Sequence, residues 1–168
     1  MDDAAILSSF AQQYRAGLAM LRQAIEKCPD EVWLATDFRN PYWHVAYHTV
    51  FYTHFYAHPS DAEFRPWAKH RKDTNFFSER PDQPGVKLPP VEPYSREEVR
   101  EYCDLCRDEI SARLEQDRLE GPSGFAWLPF SRFELHVYNL RHLQHHTGQL
   151  ADRLRARANI GVPWVGKR

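Results

Sequence analysis

Cysteine, net charge and long apolar runs are all scarce in this chain of 168 residues. The three cysteines, Cys28, Cys103 and Cys106, are too few and odd in number for a disulfide framework. Cys103 and Cys106 form a C-x-x-C, but inside a strongly helical stretch, with no strand before it and no second C-x-x-C. That excludes a thioredoxin-type redox motif and a zinc ribbon; the pair reads as half-buried, inert helix cysteines. Lys plus Arg (22) against Asp plus Glu (23) leaves no basic face for nucleic acid or an anionic membrane. No apolar run approaches the roughly 20 residues that span a bilayer. The opening Met-Asp-Asp-Ala-Ala-Ile lacks the basic-then-apolar order of a signal peptide. The expectation is a cytoplasmic protein with neither nucleic-acid nor membrane partners. There is no phosphate-cradling Gly-rich loop, no Gly-x-Ser-x-Gly elbow and no strand signal of weight.

What remains is helical. Ile6, Phe10, Tyr14, Leu18, Leu21 and Ile25 recur at threes and fours, which predicts a first helix over about 3–28, ended by Pro29. Asn40 as N-cap and Pro41 at the first helical position predict a second helix to about Ala57. Ser95-Arg-Glu-Glu98 is a capping box opening a third helix to about Leu119, with Tyr94 and Val99 as its staple. Ser131-Arg-Phe-Glu134 is a second box, with Phe130 and Leu135 at the staple positions, opening a fourth helix to about Ala158. The second and third helices are joined by a connection over 58–93 that holds seven of the twelve prolines. Phe64, Trp67, Phe76 and Phe77 give it apolar anchors, and its length allows those two helices to run parallel. The expectation is an all-α, four-helix bundle forming a single domain over 1–168.

Nine histidines are many for this length, and their spacing carries the functional signal. His142 and His146 are four apart, about 40° around one helix, so both imidazoles leave the same face. Taking His142 as zero, Leu135 falls near +20°, Tyr138 near −40°, His145 near −60° and Gln149 near −20° at about 100° per residue. His136, near +120°, points elsewhere. Two inward imidazoles with a shared task suggest a metal, and the second helix offers a third ligand from His44 or His48. His54 and His58, another pair four apart, read as interfacial or solvent-facing. Three neutral imidazoles suit Zn²⁺ or Ni²⁺ and leave a coordination position open for water or substrate. The stretch is His-Leu-Gln-His-His rather than H-E-x-x-H, so the glutamate base of zincins has no counterpart. The cytidine-deaminase signature is absent, and neither His142 nor His146 has the preceding glutamate of a di-iron bundle.

Trp43-His-Val-Ala-Tyr-His48 and His142-Leu-Gln-His-His-Thr-Gly-Gln149 resemble the DinB/YfiT-like metalloenzymes. The resemblance implies a four-helix bundle with a long crossover, often a homodimer. It implies a divalent metal held by His48, His142 and His146, with His44 as second choice. The family's reactions are diverse, so the expectation is a metal-dependent enzyme activating water or a low-molecular-weight thiol for a small-molecule substrate. His145, Tyr138 and Gln149 are the candidates for handling protons or supporting the ligands. The competing expectation is a non-catalytic dimeric bundle with structural histidines, its exposed tail carrying Trp164 against a partner.

Overall fold

The computed structural model describes residues 2–166 except 78 and 81. Its helices are α1 (Asp3–Glu26), α2 (Asp30–Trp33), α3 (Tyr42–Phe55), α4 (Arg96–Leu114) and α5 (Arg132–Ala158), and no strand is present among the described residues. Two isolated bridges, Glu79 with Lys87 and Pro122 with Ser131, only pin loops.

α1, α3, α4 and α5 form the bundle, each long helix packing on two others: α1 on α4 and α5, and α3 on α4 and α5. Directions follow from the side-chain contacts. His54 meets Glu109 and Cys106 reaches the Val50 carbonyl, so α3 and α4 run parallel. Tyr14 meets His136 and Phe10 meets Phe133, so α1 and α5 run parallel too. Arg15 reaches Ser111 while Arg22 reaches Asp104, so these two pairs oppose one another. The up-down-down-up order requires the long connection between α3 and α4 that the prolines announced.

That connection is packed. Trp67 stacks on Tyr102 at 4.8 Å between ring centres, and Phe64 sits edge-on to Phe51, Phe55, His54 and His58. Phe77 stacks on His48 at 4.0 Å, while Phe76 lies beneath the Arg80 guanidinium. Because the connection covers its outer side, α3 is buried nearly all round. This overrides the modest helix propensity of its aromatic and β-branched residues.

Several boundaries differ from the sequence-based expectation. Pro41, not Asn40, occupies the N-cap of α3 in extended backbone, and the Asn40 carbonyl accepts from Arg153. α2 was not expected; Pro29 followed by Asp30 and Glu31 in a first turn is the signal for it. α4 stops at Leu114 rather than Leu119, which frees Asp117 to turn inward to Arg132 and His136. The Ser95 capping box forms in both directions, whereas at Ser131 the hydroxyl half is present, accepting from the Glu134 N–H. Cys103 and Cys106 are buried rather than half-buried, Cys28 is buried too, and burial pushes the Cys28 and Cys103 thiols up to about 12. Such thiols stay protonated and unreactive at neutral pH.

The chain between α4 and α5 is closed by one buried ion cluster. Arg132, only 4% exposed, donates to the carbonyls of Ala57 and His58 just past the end of α3, at 3.0 and 2.7 Å. Those carbonyls have no helical partner, so the guanidinium acts as a cap supplied from another helix. The same guanidinium holds Asp117 at 2.7 Å, and Asp117 accepts from His136 Nε2 at 2.9 Å.

Candidate metal centre

His48 lies mid-way along α3 and His142 and His146 on the facing stretch of α5. The antiparallel packing of these helices brings the three imidazoles together, with one ligand atom from each within 4.8 Å of the others. All three are half-buried. His48 Nε2 and His142 Nε2 are 3.2 Å apart. That is a hydrogen bond between the two rings, and it is also close to the roughly 3.3 Å between two nitrogens bound to one tetrahedral ion.

Hydrogen bonding settles two of the tautomers. His48 Nδ1 is 2.8 Å from the Asn75 carbonyl oxygen, which only accepts, so Nδ1 carries the hydrogen and Nε2 presents a lone pair. His146 Nδ1 is 3.1 Å from Gln149 Oε1, and with the amide oxygen accepting, its Nε2 also faces the cluster as a lone pair. Imidazoles anchored this way, by a carbonyl on the far nitrogen, have the arrangement that metal-ligating histidines use. His142 has no such anchor: its Nδ1 is buried without a hydrogen-bond partner.

The electrostatics favour neutral rings. Burial pushes the His142 imidazole down to about 3, reinforced by its neighbours His146 and His145. His48 is held well below the ordinary histidine value, by burial first and then by His142. His146 is lowered by burial, which outweighs the bond to Gln149. Neutral imidazole is the form that binds metal.

The surroundings divide the other candidates. Phe77 from the connection closes one side against His48 and His146, and Tyr52 is edge-on to His142. A cavity of about 320 Å³ beside the cluster is lined by Tyr138, Arg141, His142 and His145. Tyr138 and His145 thus line that cavity with His142, while Gln149 hydrogen-bonds His146. His44 does not join the cluster; it stacks on Trp43 and its Nε2 is committed to the Thr74 carbonyl at 2.8 Å. His136 turns to Tyr14 and Asp117, and His70 to the Tyr47 hydroxyl. Of the two alternatives for His54 and His58, interface or solvent, the interface holds: they are 1% and 0% exposed, covered by Phe64 from the connection, and His54 meets α4.

Sequence reasoning did not find Asn75 and read Phe77 only as an apolar anchor of the connection, because a loop carbonyl and a loop ring reach His48 only through the tertiary fold. A bundle that presents three neutral imidazoles around one point, beside an open cavity, defines a class of helical proteins with a histidine-lined candidate metal site. The chain belongs to the DinB superfamily, whose sequence model matches residues 13–150. No curated protein and no solved structure matches it. Among the described residues, no helix is long and apolar enough to cross a membrane.

Proposed function

We propose that the protein binds one divalent transition metal through His48, His142 and His146 and uses it for catalysis on a small molecule. The observation that carries this reading is the convergence of three lone-pair-bearing imidazoles, two anchored through their far nitrogens to acceptors. The donor set fits Zn²⁺ or Ni²⁺, and three protein ligands leave a position open, as in catalytic rather than structural zinc. When bound, such a metal lowers the pKa of a coordinated water or thiol, supplying a nucleophile at neutral pH.

The chain's own residues do the rest. Asn75 and Gln149 hold the His48 and His146 rings in the ligating tautomer. Phe77 and Tyr52 exclude water from one flank. The cavity lined by Tyr138, Arg141 and His145 receives the substrate. The exposed His145 ring passes a proton between substrate and solvent, and the Tyr138 hydroxyl offers a donor at the cavity wall. Among the described residues no carboxylate lines this cavity, so proton transfer falls to these two groups, to the nucleophile or to the substrate itself.

Metal analysis of tag-free protein tests the reading. The chain carrying His48→Ala and His142→Ala is expected to lose one equivalent of metal per chain relative to the parent. Tyr138→Phe and His145→Ala are expected to keep that equivalent. Unchanged metal content after the two alanine substitutions would sink the proposal.

A further inference from the structure

α3 presents His48 toward α5, but its opposite flank carries a second constellation. His54, His58 and Glu109 offer ligand atoms that all lie within 4.8 Å of one another. We propose that these three residues form a second divalent-metal site, distinct from the three-histidine cluster, that ties the end of α3 to α4. Two imidazoles and one carboxylate suit Zn²⁺, Fe²⁺ or Co²⁺.

The strongest observation is at His58. This ring is 0% exposed, and its Nδ1 is 3.0 Å from the His54 carbonyl oxygen. The carbonyl only accepts, so Nδ1 carries the hydrogen and Nε2 is a bare lone pair. That Nε2 is buried with no hydrogen-bond partner among the described residues. A buried acceptor without a donor is costly, so a structural histidine would be expected to satisfy it. An imidazole that gives its far N–H to a backbone carbonyl and aims an unpaired nitrogen into a cluster of ligand atoms has the arrangement of a metal ligand.

The partners fit the same assignment. His54 is 1% exposed, with Nε2 3.1 Å from Glu109 Oε2 and Nδ1 3.1 Å from the Tyr102 hydroxyl. In the metal-free chain Nε2–H donates to the carboxylate and the Tyr102 hydroxyl donates to Nδ1. Coordination through Nε2 requires the other neutral tautomer, with Nδ1–H donating to the Tyr102 oxygen. The proton moves from one ring nitrogen to the other, so the ring stays neutral. The carboxylate of Glu109 is held below its ordinary pKa: burial would raise it, but His54 and Arg113 outweigh burial. Its side chain is 39% exposed, which gives an ion a route to two otherwise enclosed rings.

Arg113 opposes the site. Its guanidinium bonds Glu109 Oε2 at 3.1 Å and places a positive charge beside the ligands. Its side chain is 35% exposed, so it can turn outward, and it makes this the weaker of the two sites. This yields a test that a purely structural cluster would not pass. Removing the cation should strengthen metal binding even though it deletes an ion pair.

The experiment titrates Zn²⁺ into the stripped, tag-free full chain and counts equivalents by calorimetry and elemental analysis. The parent is expected to take up two per chain. Glu109→Gln and His58→Phe are each expected to lose one, while His48→Ala with His142→Ala loses the other. Arg113→Met is expected to tighten the weaker equivalent on the order of tenfold. Glu109 is partly exposed, so Glu109→Gln reports binding even if His58→Phe disturbs folding. A parent stoichiometry that neither Glu109→Gln nor His58→Phe reduces would overturn the assignment, as would a parent that binds no metal. Uptake lost with the His48 and His142 substitutions but unaffected by Glu109→Gln would leave the three-histidine reading standing alone.

Discussion

Replacing Asp117 by alanine is expected to remove about 3–5 kcal/mol of stability, the cost of leaving a buried charge without its counter-ion. Asp117 accepts from Arg132 Nε and Nη2 and from His136 Nε2, all within 3.1 Å. Without the carboxylate, Arg132 stays buried as a cation facing only the carbonyls of Tyr56, Ala57 and His58. His136, 1% exposed, keeps its Nδ1 contact with the Tyr14 hydroxyl but loses the acceptor of its Nε2–H. The loss is a large share of a total stability near 5–15 kcal/mol and corresponds to a melting temperature lower by roughly 6–20 °C. The contrast is the exposed pair of Lys69 with Glu101, where Lys69→Ala should change stability by less than about 1 kcal/mol. The pH dependence has a definite sign. Burial alone would raise the Asp117 carboxyl, but the bonds from His136 and Arg132 and their charges hold it well below the usual carboxylate range. Its contribution is therefore complete above the unfolded value near 4 and is lost as pH falls toward the folded one. His136 is kept neutral by burial, which outweighs its bond to Asp117. The unfolded chain takes up that proton below about pH 6.5, so this group also withdraws stability as pH falls. Urea unfolding of the parent and the Asp117→Ala chain at pH 7, 5 and 3.5 checks both points. A loss under 1 kcal/mol at pH 7, or a parent insensitive to acid, would contradict them.

How much of this was legible beforehand depends on the range over which the physics acts. The Ser95 box, the Ser131 cap and the His142–His146 pair are local features, set within one or two helical turns, and the chain spells them out. The parallel course of α3 and α4 was also readable, because a connection over 58–93 can reach where a tight turn cannot. The choice of His48 over His44 was not readable from spacing, since the two stand four apart on neighbouring turns of one helix. Packing decides it: His44 is consumed by the Thr74 carbonyl, while Asn75 turns His48 toward α5. The choice left open for His54 and His58, interface or solvent, has the same origin. Their positions on an isolated helix suggest a rim, but Phe64 and α4 cover them. Arg132 and Asp117 look like ordinary surface charges until the chain folds back over the end of α3.

Metal removal is expected to produce the other large effect, and to separate it from the second cluster the measurement is made in the Glu109→Gln chain. Zinc at a thousandfold excess over its dissociation constant stabilises the folded state by about 4 kcal/mol. Chelation should then lower the melting temperature by roughly 8–16 °C for a domain of this size. His142→Leu sharpens the test. In the metal-free chain His142 contributes little that holds the fold together: its Nε2–H donates to the His48 lone pair at 3.2 Å, but its Nδ1 is then a buried acceptor with no donor among the described residues. Keeping that unpaired nitrogen buried is a cost that metal binding offsets. An apolar side chain of similar volume relieves that cost. The metal-free His142→Leu chain should therefore be as stable as its metal-free parent, or more stable by up to about 1–3 kcal/mol. The zinc-induced shift should vanish in the same variant. Differential scanning calorimetry with and without zinc reads both quantities at once. A His142→Leu chain that loses several kcal/mol without metal yet keeps the zinc response would mean that the imidazole serves the core and not an ion. Stability unaffected by chelation in the parent would favour structural histidines throughout. The paired outcome, a tighter fold that no longer answers to metal, is what a site held ready at the expense of stability predicts.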